Sequence, residues 1–215
     1  MEKKEAFTAY PGKDAGIRAL PFVLGVIGGI GAGKSLVMNT LKEYGFCTLK
    51  TDDIARSFYR SGDPVFEKMK ELLGKDIENE DGSAALPLIG ERIFRDPALK
   101  SALEAIVHPA VWDRVRQEIG KNEADGVPTA VETALPDAVF FGLCDSVLCV
   151  SASPEVRRQR LMTDRGYSRE KAEDLIRKQE AFLENYARAD LMVDNSGTAE
   201  EIKHEIYKYC QQLWR

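Results

Sequence analysis

Residues 28 to 35 read Gly28-Gly29-Ile30-Gly31-Ala32-Gly33-Lys34-Ser35. The spacing G-x-x-x-x-G-K-[ST] is that of a loop that wraps phosphate oxygens. Glycines let the backbone turn successive N–H groups toward an anion, and the start of the following helix adds partial positive charge. Lys34 is expected to reach the β- and γ-phosphates, and the Ser35 hydroxyl to hold Mg²⁺. Nucleotide contacts are expected from Gly29, Ile30, Gly31, Ala32, Gly33, Lys34, Ser35 and Leu36. A glycine turn that merely packs a helix on a strand would explain the glycines but not Lys34-Ser35.

Phosphoryl transfer needs a held nucleotide, neutralised charge and a positioned nucleophile. Asp52 is a candidate for the last requirement, because it follows an apolar strand and emerges at the carboxyl edge of a parallel sheet, where ligands gather. It could accept a proton from an attacking hydroxyl or help hold Mg²⁺. It could equally cap a helix. Arg56, one turn on, would face the same cleft or solvent. Arg157, Arg158, Arg160, Arg165 and Arg169 flank Gly166 and suit either a lid that closes over phosphates or a charged surface hairpin. Glu132, at a strand end, could stand behind Mg²⁺ or bond to backbone. His108-Pro109 reads as a helix start with proline at the first position, where a histidine is more often structural than catalytic.

The elements that must carry these residues alternate. Phe22 to Ile27 is an apolar run of strand length, and Leu36, Val37, Thr40 and Leu41 recur at helical spacing. Gly45 to Lys50 reads as a second strand, with Thr51-Asp52-Asp53 expected to cap a helix from Ile54 to Tyr59. From 63 to 122 the pattern is helical, broken at Gly74, Asn79 to Gly82 and Asp96-Pro97, which suggests a helical insertion. Val127 to Glu132 and Ser146 to Val150 read as strands covered on both faces, and Leu191 to Val193 as a last short strand. Ser153-Pro154 starts a helix, and Leu175, Gln179, Phe182 and Leu183 line one side of the next. Thr198 and Glu201 form a capping box for a last helix burying Ile202, Ile206, Tyr209 and Leu213. The fold expected is α/β, a doubly wound parallel sheet with a helical insertion at 63–122 and a lid at 153–188. Residues 1–20 lack periodicity and read as a mobile extension to a domain spanning 21–215.

The chain has 215 residues, 44% of them hydrophobic, and a net charge of -5, which disfavours a broad nucleic-acid-binding face. Cys47, Cys144, Cys149 and Cys210 form no C-x-x-C, so zinc binding is not expected and reduced thiols in the cytoplasm are. No apolar stretch is long enough to span a membrane and no secretory signal opens the chain. The guanine-reading N-K-x-D is absent, which disfavours a switch GTPase.

Together the motifs resemble the dephospho-CoA kinase family over about residues 22 to 213. The loop, Asp52-Asp53-Ile54-Ala55-Arg56, His108-Pro109, Cys144-Asp145, the run Arg157, Arg160-Leu161, Arg165-Gly166-Tyr167-Ser168 and Gln179, then Asp190 and Asp194-Asn195-Ser196-Gly197, are similar to that family's motifs in order. The resemblance implies transfer of the ATP γ-phosphate, with Mg²⁺, to the ribose 3′-hydroxyl of dephospho-CoA. It implies a phosphate-loop kinase fold whose helical insertion at 63–122 binds the acceptor, with Asp52 as base, Lys34 as phosphate lysine and Arg160 or Arg165 as lid arginine. Arg56 and His108 then fall where the family contacts the acceptor, and Asn195 and Gly197 near the adenine of ATP. Ile27, Leu36, Lys50 and the segment 132–137 depart from the family pattern. Kinases of other small acceptors, and a non-catalytic nucleotide-binding relative, are the alternative readings.

Overall fold

The structure, a computed structural model, describes residues 22–134, 136–179 and 186–213. It divides into two compact units: residues up to Leu49 with those from Ile119 onward, and Lys50–Glu118.

The first unit is built on five strands, β1 (Val23–Gly28), β2 (Cys47–Lys50, whose last residue falls in the second unit), β3 (Thr129–Glu132), β4 (Ser146–Ser151) and β5 (Leu191–Asp194), in the order β2-β3-β1-β4-β5. Strand β1 pairs in parallel with both β3 and β4, and β4 with β5. Helix connections make this a doubly wound α/β fold, and β1 is buried along its whole length. Alternation along β1 sends Leu24 and Val26 to one face. There they meet Val37, Met38 and Leu41 of α1 (Lys34–Glu43), with Ile202, Ile206 and Cys210 of the C-terminal helix (Ala199–Leu213) in the same cluster. That last helix therefore buries Cys210, continuing the spacing of four from Ile202 and Ile206. Tyr209 is only half buried, because its hydroxyl is drawn out to Ser146 Oγ at 2.6 Å. The expected capping box is present, with Thr198 N–H donating to Glu201 at 2.7 Å.

On the opposite face Gly25 meets a short helix absent from the sequence reading, Ala138–Leu143. Six residues are too few to show a helical period. A Cβ on Gly25 would lie 2.6 Å from Phe140 Cζ and 2.8 Å from Cys144 Sγ. Only a residue without a side chain lets this helix seat there. Asp145 and Asp190 act at the sheet's lower end: Asp145 accepts from Val23 N–H at 2.7 Å and Asp190 from Val147 N–H at 2.8 Å.

The second unit holds α2 (Thr51–Ser57), α3 (Pro64–Leu73), α4 (Leu86–Arg95) and most of α5 (Pro97–Asp125). Its core comprises Phe66, Met69, Ile77, Trp112 and Val115. Two sequence expectations are corrected here. Helix α2 begins at Thr51, three residues early, with Lys50 as a cap that makes no side-chain bond. Asp52 and Asp53 are thus first-turn residues rather than caps, stabilised there by the helix N-terminus. Pro109 does not open a helix but lies inside the 29-residue α5. Flanking turns carried by Val107, Val111, Trp112 and Val115, all buried, hold the helix through the one hydrogen bond that proline cannot make.

The remaining helices, α6 (Ala138–Leu143), α7 (Pro154–Arg165), α8 (Arg169–Gln179) and α9 (Ala199–Leu213), belong to the first unit. Ser153 caps α7, accepting from Val156 N–H at 3.3 Å. The buried side of α8 is Ala172 and Ile176, packed with Leu161 of α7, rather than Leu175. Phe182, Leu183, residues 1–20 and the side chain of Leu213 lie outside the described residues. Among those described, no helix is long and apolar enough to cross a membrane.

Replacing Gly25 by alanine is expected to cost roughly 1–3 kcal/mol, since the new methyl overpacks a rigid ring. At this chain length each kcal/mol lowers the melting temperature by about 2–4 °C. A thermal melt at the wild-type temperature would show that Phe140 does not seat on β1.

Candidate active site

The glycine loop leaves the carboxyl end of β1, the central strand, and runs straight into α1. Its geometry can be followed carbonyl by carbonyl. Gly28 C=O accepts from Lys34 Nζ at 2.9 Å. Gly29 C=O accepts from Ala32 N–H at 3.1 Å, and Gly33 C=O from Leu36 N–H at 3.0 Å. Ile30 C=O accepts from Arg157 Nε at 2.8 Å. Gly31 and Ala32 C=O take Arg160 at 3.4 and 3.3 Å, and Ala32 C=O also takes the Asn195 amide at 2.8 Å. Every carbonyl from 28 to 33 is occupied from within the protein. The N–H groups of Gly31 and Gly33 make no backbone hydrogen bond among the described residues. That of Ser35 lies in the first turn of α1, where no intrahelical acceptor exists. Backbone N–H groups presented in this way suit an anion.

Gly33 shows why the motif's second fixed glycine is required. Its φ is 94°, and a Cβ there would lie 2.0 Å from Asn195 Nδ2. Asn195, the first residue past β5, is 2% exposed. It is anchored by its N–H to Ser151 C=O at 2.8 Å, while its own carbonyl accepts from Arg160 at 2.8 Å. Asn195 therefore lies against the loop. Gly197 is exposed, beside Glu201.

Lys34 Nζ also stands 4.0 Å from Glu132 Oε1, at the end of β3. Burial pushes the nearby Cys149 thiol up to about 11 against the opposing pull of Lys34, so this wall of the site is a neutral thiol. Ser35 is exposed in the first turn of α1, and Leu36 is half buried against the core. Among the described residues no cluster of three His, Cys, Asp or Glu side chains could hold a metal.

The two arginines singled out from the sequence differ. Arg160 is half buried and committed to the loop and to Asn195. Arg165 is exposed in the last turn of α7, just before Gly166, with φ 64°. Arg157 and Gln179, not given separate roles from the residues alone, both touch Ile30.

In the second unit Asp52 and Arg56 lie four residues apart on α2, both exposed, as is His108 on α5. Tyr59 follows α2. Burial and the Asp52 carboxylate raise its hydroxyl pKa, while Arg56 lowers it, so it is a neutral donor near both.

A family model described as dephospho-CoA kinase matches residues 22–201. The dephospho-CoA kinase of Carboxydothermus hydrogenoformans is 32% identical over 195 residues, 90% of this chain and 94% of that one. That of Streptomyces avermitilis is 35% identical, covering 85% and 89%. Among solved structures, a Thermus thermophilus protein superposes with a TM-score of 0.73 at 28% identity, covering 90% and 98%. The dephospho-CoA kinase from Campylobacter jejuni superposes at 0.69 with 20% identity, covering 89% and 96%, and shares the fold.

Arg160→Met should lower the melting temperature, because it strips charged donors from three carbonyls; hydrogen bonds of this kind are worth about 1.5–3 kcal/mol. Arg165→Ala should melt like the wild type, within the roughly 0.5 kcal/mol usual for surface changes. Differential scanning fluorimetry of the pair separates them, and equal melting temperatures would contradict the bonds drawn to Arg160.

Proposed function

The chain belongs to the dephospho-CoA kinase family, and from that premise we propose how its residues divide the work. The reaction transfers the γ-phosphate of ATP to the ribose 3′-hydroxyl of dephospho-CoA, giving ADP and coenzyme A. The observation that carries this reading is the loop whose carbonyls from 28 to 33 are all satisfied within the protein, while the N–H groups of Gly31 and Gly33 make no backbone hydrogen bond among the described residues. It lies directly ahead of Lys34 and Ser35.

Lys34 exchanges its bond to Gly28 for the β- and γ-phosphates. Asp52 accepts the proton of the acceptor hydroxyl as its oxygen bonds to the γ-phosphorus and the bond to ADP breaks. Asp52 is supported by its exposed place two residues beyond β2 and by its freedom from a capping bond. Arg56 and His108, exposed in the same unit, are the acceptor contacts, and Tyr59 is a neutral donor beside Asp52. Arg160 holds the loop and Asn195 in shape, while the exposed Arg165 is the guanidinium available to the transferring phosphoryl group. Asn195 and Gly197, at the end of β5, form the edge on which the nucleotide's base rests.

The donor set fits Mg²⁺. This ion keeps several waters and takes one or two protein ligands besides substrate phosphates, and the exposed Ser35 hydroxyl is such a ligand. Asp52 is a second candidate. When bound, the ion neutralises charge on the β- and γ-phosphates. ATP and dephospho-CoA are the partners, and the cytoplasm the compartment; no nucleic-acid or membrane surface enters the mechanism.

The test is product identity. Incubation with MgATP and dephospho-CoA should give ADP and coenzyme A in equal amounts by mass spectrometry. ADP formed without a phosphorylated acceptor would overturn the reading. AMP, CMP and adenosine should be much poorer acceptors, since they lack the arm whose remote contacts help place the hydroxyl.

For the base, Asp52→Asn should lower kcat by about 10²-fold or more while the ATP KM changes little, as general-base groups act in the transition state. Asp53→Asn, with its carboxylate in the same turn, is the control. Equal losses in the two variants would show that charge at the helix start, not proton transfer, is what matters.

A further inference from the structure

Ile30, in the middle of the loop, is held at three points. Its side chain packs on Leu161, Ala172 and Ile176 of α7 and α8, with Tyr167. Its C=O accepts from Arg157 Nε at 2.8 Å. Its N–H donates to Gln179 Oε1, and the same oxygen accepts from Arg157 NH2 at 3.2 Å. Both neighbours of that oxygen are donors, so the side-chain amide of Gln179 can sit only this way round. The Ile30 N–H is thereby withdrawn from any phosphate, although the residue sits in the middle of the motif. The N–H belongs to the Gly29–Ile30 peptide and the C=O to the Ile30–Gly31 peptide, and either of these groups, once released, could rotate and turn its carbonyl toward the bound anion, where it would repel it.

We propose that Gln179 is a positioning residue for ATP: with Arg157 it holds the two peptide groups that flank the Ile30 Cα, one through its N–H and one through its C=O, and so keeps the phosphate loop in its anion-binding shape. The proposal rests on the reading that the loop binds ATP. Gln179 lies at the end of α8, so the shape of the loop depends on the seating of the α7–α8 pair. Arg157 cannot replace it, because an arginine offers donors only and the Ile30 N–H needs an acceptor.

The test uses the full chain and calorimetric titration with a non-hydrolysable ATP analogue and Mg²⁺, alongside steady-state kinetics and thermal melts. Gln179→Met keeps length and removes the acceptor; Gln179→Glu keeps an acceptor oxygen and can pair with Arg157. The methionine variant should bind the analogue about tenfold more weakly or worse, with the dephospho-CoA KM within about threefold of wild type. The glutamate variant should recover most of the loss. Wild-type affinity in the methionine variant would overturn the proposal. So would equal loss in both variants, or a fall in melting temperature that raises both KM values together. Failure of the wild type itself to bind the analogue would instead overturn the reading of the loop.

Discussion

A loop that must bare its N–H groups to an anion has to dispose of its C=O groups somewhere, and this constraint organises the first unit. Peptide dipoles come in pairs; each N–H turned toward phosphate turns a carbonyl away from it. The protein meets those carbonyls with Lys34 from α1, Arg157 and Arg160 from α7 and Asn195 from beyond β5. The sheet order then has a clear purpose. With β1 central and β4 and β5 on one side, the residues that follow β4 and β5 arrive beside the loop that follows β1. The positive side chains do two things at once, since a guanidinium that satisfies a carbonyl also adds charge favourable to phosphate.

The other fixed point is steric. Gly25 lies on β1 three residues before Gly28, and the close seating of Phe140 against it supports the strand that holds the loop. Core packing of Leu24 and Val26 with α1 and α9 on the other face makes β1 a rigid post. A phosphate loop on such a post needs little reorganisation when its ligand arrives.

Much of this was legible in the sequence because it is local. The loop, the strand before it, the helix after it, the Ser153-Pro154 start and the Thr198–Glu201 box are each written within a few neighbouring residues. Asp52 misled because an acid after a strand and before a helix satisfies the capping pattern, whereas the extended backbone at Lys50 ends early enough for Thr51 to be helical already. Pro109 misled for the same kind of reason: tertiary burial of α5 overrides a local signal. Residues 138–143 carried no period to read. The grip of Gln179 on Ile30 was invisible, because a glutamine on an amphipathic helix has no pattern that announces its partner across 149 residues. Only the α7–α8 packing creates it.

That distance has a consequence for how the protein comes into being. The eight residues of the motif are made well before the side chains that shape them from α7, α8 and beyond β5, which lie 127 to 163 positions downstream. Synthesis proceeds from the N-terminus at about 5–20 residues per second, so for several seconds a nascent chain carries the complete motif without the site. The bonds that hold the loop in shape are complete only once Asn195 has been made, so the loop's geometry is a late property of the fold although its motif is written within eight residues.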